Sequence, residues 1–179
     1  MTDEAFKNYV SQFRYENGHI YLGETRYMFM PVSWLGDMQL ELENLMGPGG
    51  TFALFDTASR RTTPTGDTLA QLKELPFEHK WGAFFMSAAL GGFGIFQLVS
   101  ASKDPFKVVF TNSSTSYGDA YGGKADSPRC YLNSTFIPYM KQIAALDGIN
   151  EELKLTETQC IASGAPHCEF IIEVDDGLF

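Results

Sequence analysis

Two β-prone runs open the readable pattern, Phe13–Glu16 and His19–Leu22, with Asn17-Gly18 between them. That dipeptide is a strong two-residue hairpin signal because both of its positions accept positive φ. A third strand is expected over Arg26–Met30, closed by Pro31. The spacing then becomes helical: Leu35, Met38, Leu42 and Leu45 recur on one face, Ser33 offers the cap, and the helix is expected to end near Met46. Gly47-Pro48-Gly49-Gly50 interrupts it, a second helical stretch covers Thr51–Ser59, Thr62–Gly66 reads as a loop, and Asp67–Leu75 as a short helix.

The second half is more apolar. His79–Leu90 is hydrophobic nearly all round, which predicts a buried helix. Phe93–Ala101 and Lys107–Asn112 read as an antiparallel strand pair joined through Lys103-Asp104-Pro105, and the Gly- and Ser-rich stretch from Ser113 to Ser127 as loop. A helix is expected over Tyr131–Leu146, with Leu132, Phe136, Tyr139, Ile143 and Leu146 on one face and a kink at Pro138. The chain closes on a hairpin, Leu153–Ile161 and Cys168–Val174, around Ala162-Ser-Gly-Ala-Pro166. No internal repeat or linker divides it, so residues 1–179 are read as one α+β domain with antiparallel sheet packed against helices.

Composition narrows the function. Hydrophobic residues make up 44% and aromatics 14%, enough for a sizeable core or a ring-lined cavity. A net charge of −9 argues against nucleic acid and against anionic membrane surfaces, both of which need clustered Lys and Arg. The opening MTDEAFKNYV has no basic region leading into an apolar one, and the weakly polar stretch Trp81–Val99 is too interrupted by Gly and Ser to insert in a membrane. The expectation is a cytoplasmic protein whose three cysteines are thiols.

Those cysteines carry the clearest chemistry. Cys160 and Cys168 lie on the two arms of the closing hairpin, close enough for their side chains to meet. Cys130 stands at the expected start of the long helix, where the helix N-terminus favours a thiolate. With one carboxylate the three make a closed structural-zinc set; without one they are buried core thiols. Glu157 lies three residues before Cys160, and strand pleating turns it to the opposite face unless a bulge or strand end redirects it. His167, beside Cys168, is the other candidate for a fourth ligand.

The stretch Glu157-Thr-Gln-Cys160-Ile-Ala-Ser-Gly-Ala-Pro-His-Cys168-Glu-Phe-Ile-Ile172 resembles the terminal signature of 4-vinyl-reductase-like domains. Phe110-Thr-Asn-Ser-Ser, a glycine-containing loop, Pro128-Arg-Cys130 and the following amphipathic helix resemble that family's central block, so the likeness spans residues 106–174. The family includes sensor domains of phenol- and aromatic-responsive activators and a small protein tied to bacteriochlorophyll synthesis. The resemblance implies the ligand-binding fold shared with vesicle-transport (TRAPP) subunits and haem-NO-binding domains. It also implies a structural zinc held by Cys130, Glu157, Cys160 and Cys168, and pairing into homodimers.

Phenol sensors of this family read the ligand hydroxyl with a Trp and a His. By its place before Asn112-Ser113, Phe110 takes the Trp-like position, and Phe donates no hydrogen bond. The expected ligand is therefore bound mainly by its apolar surface, hydrocarbons ahead of phenol, near Phe84, Phe85, Phe93, Phe110 and Phe136. Trp34, Trp81 and Met86 are further candidates for core or cavity wall. No catalytic residue is assigned: Gly91-Gly-Phe-Gly94 precedes a strand and does not open a helix, and no nucleophile is paired with a base. The reading is a small-molecule sensor or carrier that acts through a protein effector. An accessory protein or enzyme of tetrapyrrole metabolism is the alternative, and a scaffold without ligand a third.

Overall fold

The computed structural model describes residues 3–59, 66–131 and 136–177. It is an α+β fold, as the pattern of elements predicts. Helix α1 (Asp3–Val10) leads into a meander of β1 (Phe13–Glu16), β2 (His19–Leu22) and β3 (Thr25–Tyr27). The β1–β2 turn places Asn17 at φ 50° and Gly18 at φ 83°, the doubly positive turn that matches strand twist. The third strand stops at Tyr27, three residues short of the expected end, and Met28–Pro31 carries the chain into α2 (Val32–Ser59).

Helix α2 is two helices joined at a kink. Gly47 breaks it at φ 75° and ψ 168°, and Pro48, having no N–H to satisfy, begins the second segment. The buried Thr51 hydroxyl donates to the Gly47 carbonyl at 3.0 Å and closes the restart. Helix α3 (Gly66–Lys73) follows, while the loop expected over Thr62–Gly66 falls almost wholly outside the described residues. Helix α4 (Phe77–Leu90) buries one stripe, Trp81, Phe84, Phe85 and Ala88, but exposes His79 and Met86. The expectation of a helix buried all round is thereby corrected: a helix laid on a sheet buries only the face toward it.

The main sheet holds β4 (Phe96–Lys103), β5 (Phe106–Asn112), β6 (Leu153–Gln159) and β7 (Cys168–Val174) in the order β4-β5-β7-β6, every pairing antiparallel. Strand β5 alternates strictly, with Phe106, Val108, Phe110 and Asn112 buried, and β7 does the same with Cys168, Phe170 and Ile172. Those side chains form one core with the α4 stripe and with Met140, Ile143 and Ala144 of α6 (Ile137–Ala145).

Two expectations fail between β5 and β6. The stretch from Ser113 to Ser127 is not all loop: it contains helix α5 (Ser116–Ala120), which packs on α2 and on the 3-10 turn Ile161–Ser163 after β6. The long helix begins at Ile137, not at Tyr131, with Leu132 outside the described residues. Pro138 therefore sits in the first turn of α6, where its missing N–H breaks no helical bond, and no kink follows.

Candidate metal centre and aromatic interior

Cys130 is consequently not at the start of α6, which lies seven residues on. It lies in the loop before α6, which the Ala125 N–H pins to the hairpin turn by donating to the Ala162 carbonyl at 2.8 Å. Cys160 follows β6, and Cys168 opens β7. Glu157 points to the same side as the cysteines because β6 carries a bulge. Glu157 pairs with Phe170 and Gln159 with Glu169, leaving Thr158 as an extra residue. One extra residue reverses the pleat, so positions three apart share a face. The bulge is the redirection that Glu157 needs to face the cysteines.

Cys130, Glu157, Cys160 and Cys168 present one ligand atom each, all within 4.8 Å of one another. The sulfurs of Cys130 lie 3.7 Å from Cys160 and 3.4 Å from Cys168, and Cys160 and Cys168 are 3.9 Å apart. Tetrahedral zinc with Zn–S near 2.3 Å requires sulfur separations of about 3.8 Å. Glu157 Oε1 is buried without a hydrogen-bond partner, while Oε2 accepts from the Cys130 N–H at 3.1 Å. An orphaned carboxylate oxygen facing three thiols fits a divalent ion, and the four donors would complete a closed shell with no position for a substrate.

Backbone N–H groups face the sulfurs, Arg129 toward Cys160 at 3.5 Å and Ile161 toward Cys168 at 3.3 Å. Four acids in this space cannot all ionise. Burial pushes the Glu157 carboxyl up to about 8. Hydrogen bonds from the Cys130 and Cys168 thiols pull Cys160 down, while the bonds Cys130 makes to Cys160 and Cys168, with burial, push Cys130 up, against the lowered pKa expected for it. His167 joins a groove at the sheet's end with Ile95, Gln97, Val99, Thr111 and Pro166, away from the donor set.

The five candidate ligand residues fall in one aromatic cluster between α4, α6 and the main sheet. Phe85 meets Phe110 at 4.3 Å between ring centroids, Phe84 meets Phe136 at 5.8 Å, and Phe93 meets Phe136 at 5.2 Å. Phe96 bridges the two halves, and Phe170 stacks under Phe110 at 4.9 Å. Trp81, fully buried against Phe77, Phe85 and Phe106, has an indole N–H with no hydrogen-bond partner; the buried Tyr117 hydroxyl also lacks one. Phe96, Phe170 and the free donor of Trp81 were not singled out as ligand residues by the sequence. Their alternation on β4 and β7 marks Phe96 and Phe170 as inward-facing once strand boundaries are known. Trp34, by contrast, is half exposed and lies outside this interior.

No protein-family model matches the chain, and no curated protein matches it. Among solved structures, it is similar to the crystal structure of the phenol-responsive sensory domain of the transcription activator PoxR with phenol. The two share 15% sequence identity at a TM-score of 0.73, over 96% of this chain and 89% of that one. At that identity the likeness concerns the fold: this chain has the fold of a sensory domain.

Proposed function

We propose that this chain is a small-molecule-binding sensor or carrier domain, tied together by one structural zinc ion and working as a homodimer. The guest is aromatic or apolar and sits among Phe84, Phe85, Phe93, Phe110 and Phe136. The observation that carries the reading is the continuous ring cluster holding a fully buried, unpartnered indole N–H at Trp81. A close-packed core has no use for such a donor, since leaving it unsatisfied costs about 1–3 kcal/mol. A fold shared with a phenol-responsive sensory domain supports a guest in this interior.

Zinc is the ion best matched to three thiols and one carboxylate at these separations, and its role would be structural: joining the Cys130 loop to the closing hairpin. Native mass spectrometry of freshly purified, unchelated protein tests both parts. The expected spectrum shows one zinc per chain and, after incubation with small aromatics, a retained ring compound. Protein carrying zinc but refusing every aromatic and hydrocarbon offered would overturn the binding reading; protein without metal would overturn the zinc.

A further inference from the structure

Outside the four donors, Arg129 is the most heavily bonded residue near the metal centre, and two of its partners, Gln39 and Glu43, reach it from α2. Gln39 of α2 is fully buried, unusual for an amide in a helix whose stripe is Leu and Met. Its Nε2 donates to the Arg129 carbonyl and, at 3.0 Å, to the Tyr121 hydroxyl. One turn further along α2, Glu43 meets the Arg129 guanidinium at 3.5 Å, both side chains only about a tenth exposed. Asp126 pairs with the same guanidinium from the loop itself.

The Arg129 carbonyl and the Cys130 N–H belong to one rigid peptide plane. Gln39 holds the carbonyl edge of that plane, and the Glu157 carboxylate accepts from its N–H edge at 3.1 Å. The Arg129 N–H, one atom group earlier, faces the Cys160 sulfur. The Tyr131 N–H donates to the same carbonyl at 2.9 Å, but from the same loop, so Gln39 is the bond that ties this plane to α2; losing it lets the loop shift, and such a shift moves Cys130 and its bond to the carboxylate together. Neither side chain touches the donor atoms, so both act through the loop.

Resting on the zinc reading above, we infer that Gln39 and Glu43 are positioning residues of the metal centre, and that α2 is the element through which metal occupancy is felt. Coupling of this kind is reciprocal: if α2 tightens the site, a filled site must tighten α2. Loss of such outer partners typically weakens metal binding on the order of 10-fold to 100-fold.

The test compares the full-length wild type with Gln39→Leu, which keeps the volume and removes both donors, and with Glu43→Gln. Zinc affinity is measured by chelator competition, circular dichroism verifies the fold, and amide hydrogen exchange follows α2 with and without zinc. The expected result is zinc affinity lowered by about 10-fold or more in each folded variant, at unchanged stoichiometry. Zinc should also slow exchange across residues 33–46 in the wild type and much less in Gln39→Leu. Should Gln39→Leu fail to fold, Glu43→Gln and the wild-type exchange experiment decide. Affinity within about twofold of wild type in a folded variant, or exchange in α2 indifferent to zinc, would overturn the inference while leaving the metal site standing. A wild type that takes up no zinc overturns the metal reading first, and this one with it.

Discussion

Trp81 shows how one atom can reverse a preference read from another residue. Phe110, at the position where phenol sensors carry Trp, donates nothing, and on that basis hydrocarbons should outbind phenol. The indole N–H of Trp81 lies one ring away, since Phe85 contacts both Trp81 and Phe110, and it has no partner of its own. An oxygen on the guest would satisfy it. We therefore expect calorimetric titration to give phenol tighter binding than toluene by roughly 0.5–1.5 kcal/mol. In Trp81→Phe that margin should vanish while toluene binding stays near wild type. A phenol margin untouched by the substitution would place the reading group elsewhere, with the buried Tyr117 hydroxyl the next to test.

At the scale of elements, the joint between α4 and the end of α6 is ionic. Lys80 and Asp147, 5% and 15% exposed, meet in two hydrogen bonds of 2.8 and 2.9 Å. Removing one partner of a buried pair strands the other charge. Lys80→Met should lower stability by about 3–5 kcal/mol in urea denaturation, and Lys80→Met with Asp147→Leu should recover most of the loss. A single variant as stable as wild type would mean that water already screens the pair. None of this was legible in the sequence, where Lys80 reads as one polar break in an apolar run. What was legible had a local cause: the Asn17-Gly18 turn, the α2 stripe and its break at Gly47, the strands of the closing hairpin. What was misread depended on partners far along the chain. Pro138 inside a period-3.6 pattern reads as a kink until the start of α6 is known, and Glu157 reads as outward until the bulge at Thr158 is seen. The three cysteines stood out by type and by resemblance, whereas Gln39 is a single amide in a Leu-rich helix and gave no signal.

For the whole molecule, most of the exposed large apolar side chains among the described residues fall in the first third of the sequence, with Met86, Ile95 and Val99 beyond it. Tyr15, Met28, Phe29, Trp34, Leu45 and Phe52 are each between 48% and 80% exposed. The meander that carries the first of them packs mainly within itself, with Tyr9 of α1 and Phe29 against Phe13, and a unit of that size cannot bury a core alone. Soluble monomers seldom expose more than a few hundred Å² of contiguous apolar surface, and a second copy presenting the same surface is the simplest cover. Light scattering at tens of micromolar should report twice the chain mass, and Phe29→Asp should shift the species toward one chain. Wild type at the mass of one chain under those conditions would leave this surface for another partner. Among the described residues no helix is long and apolar enough to cross a membrane.

The bulge at Thr158 has a consequence for how such a chain can change over time. It makes the donor set a matter of count more than of identity at that point. Thr158 is exposed and touches no donor, so many side chains could replace it with little effect on the site. Ironing the bulge out is another matter: one residue added to β7 opposite Thr158 would restore regular alternation and carry Glu157 and Cys160, three apart, to opposite faces, with all four donors still spelled out in the sequence. A descendant lengthened by that one residue would look like a relative in every alignment and have lost its centre.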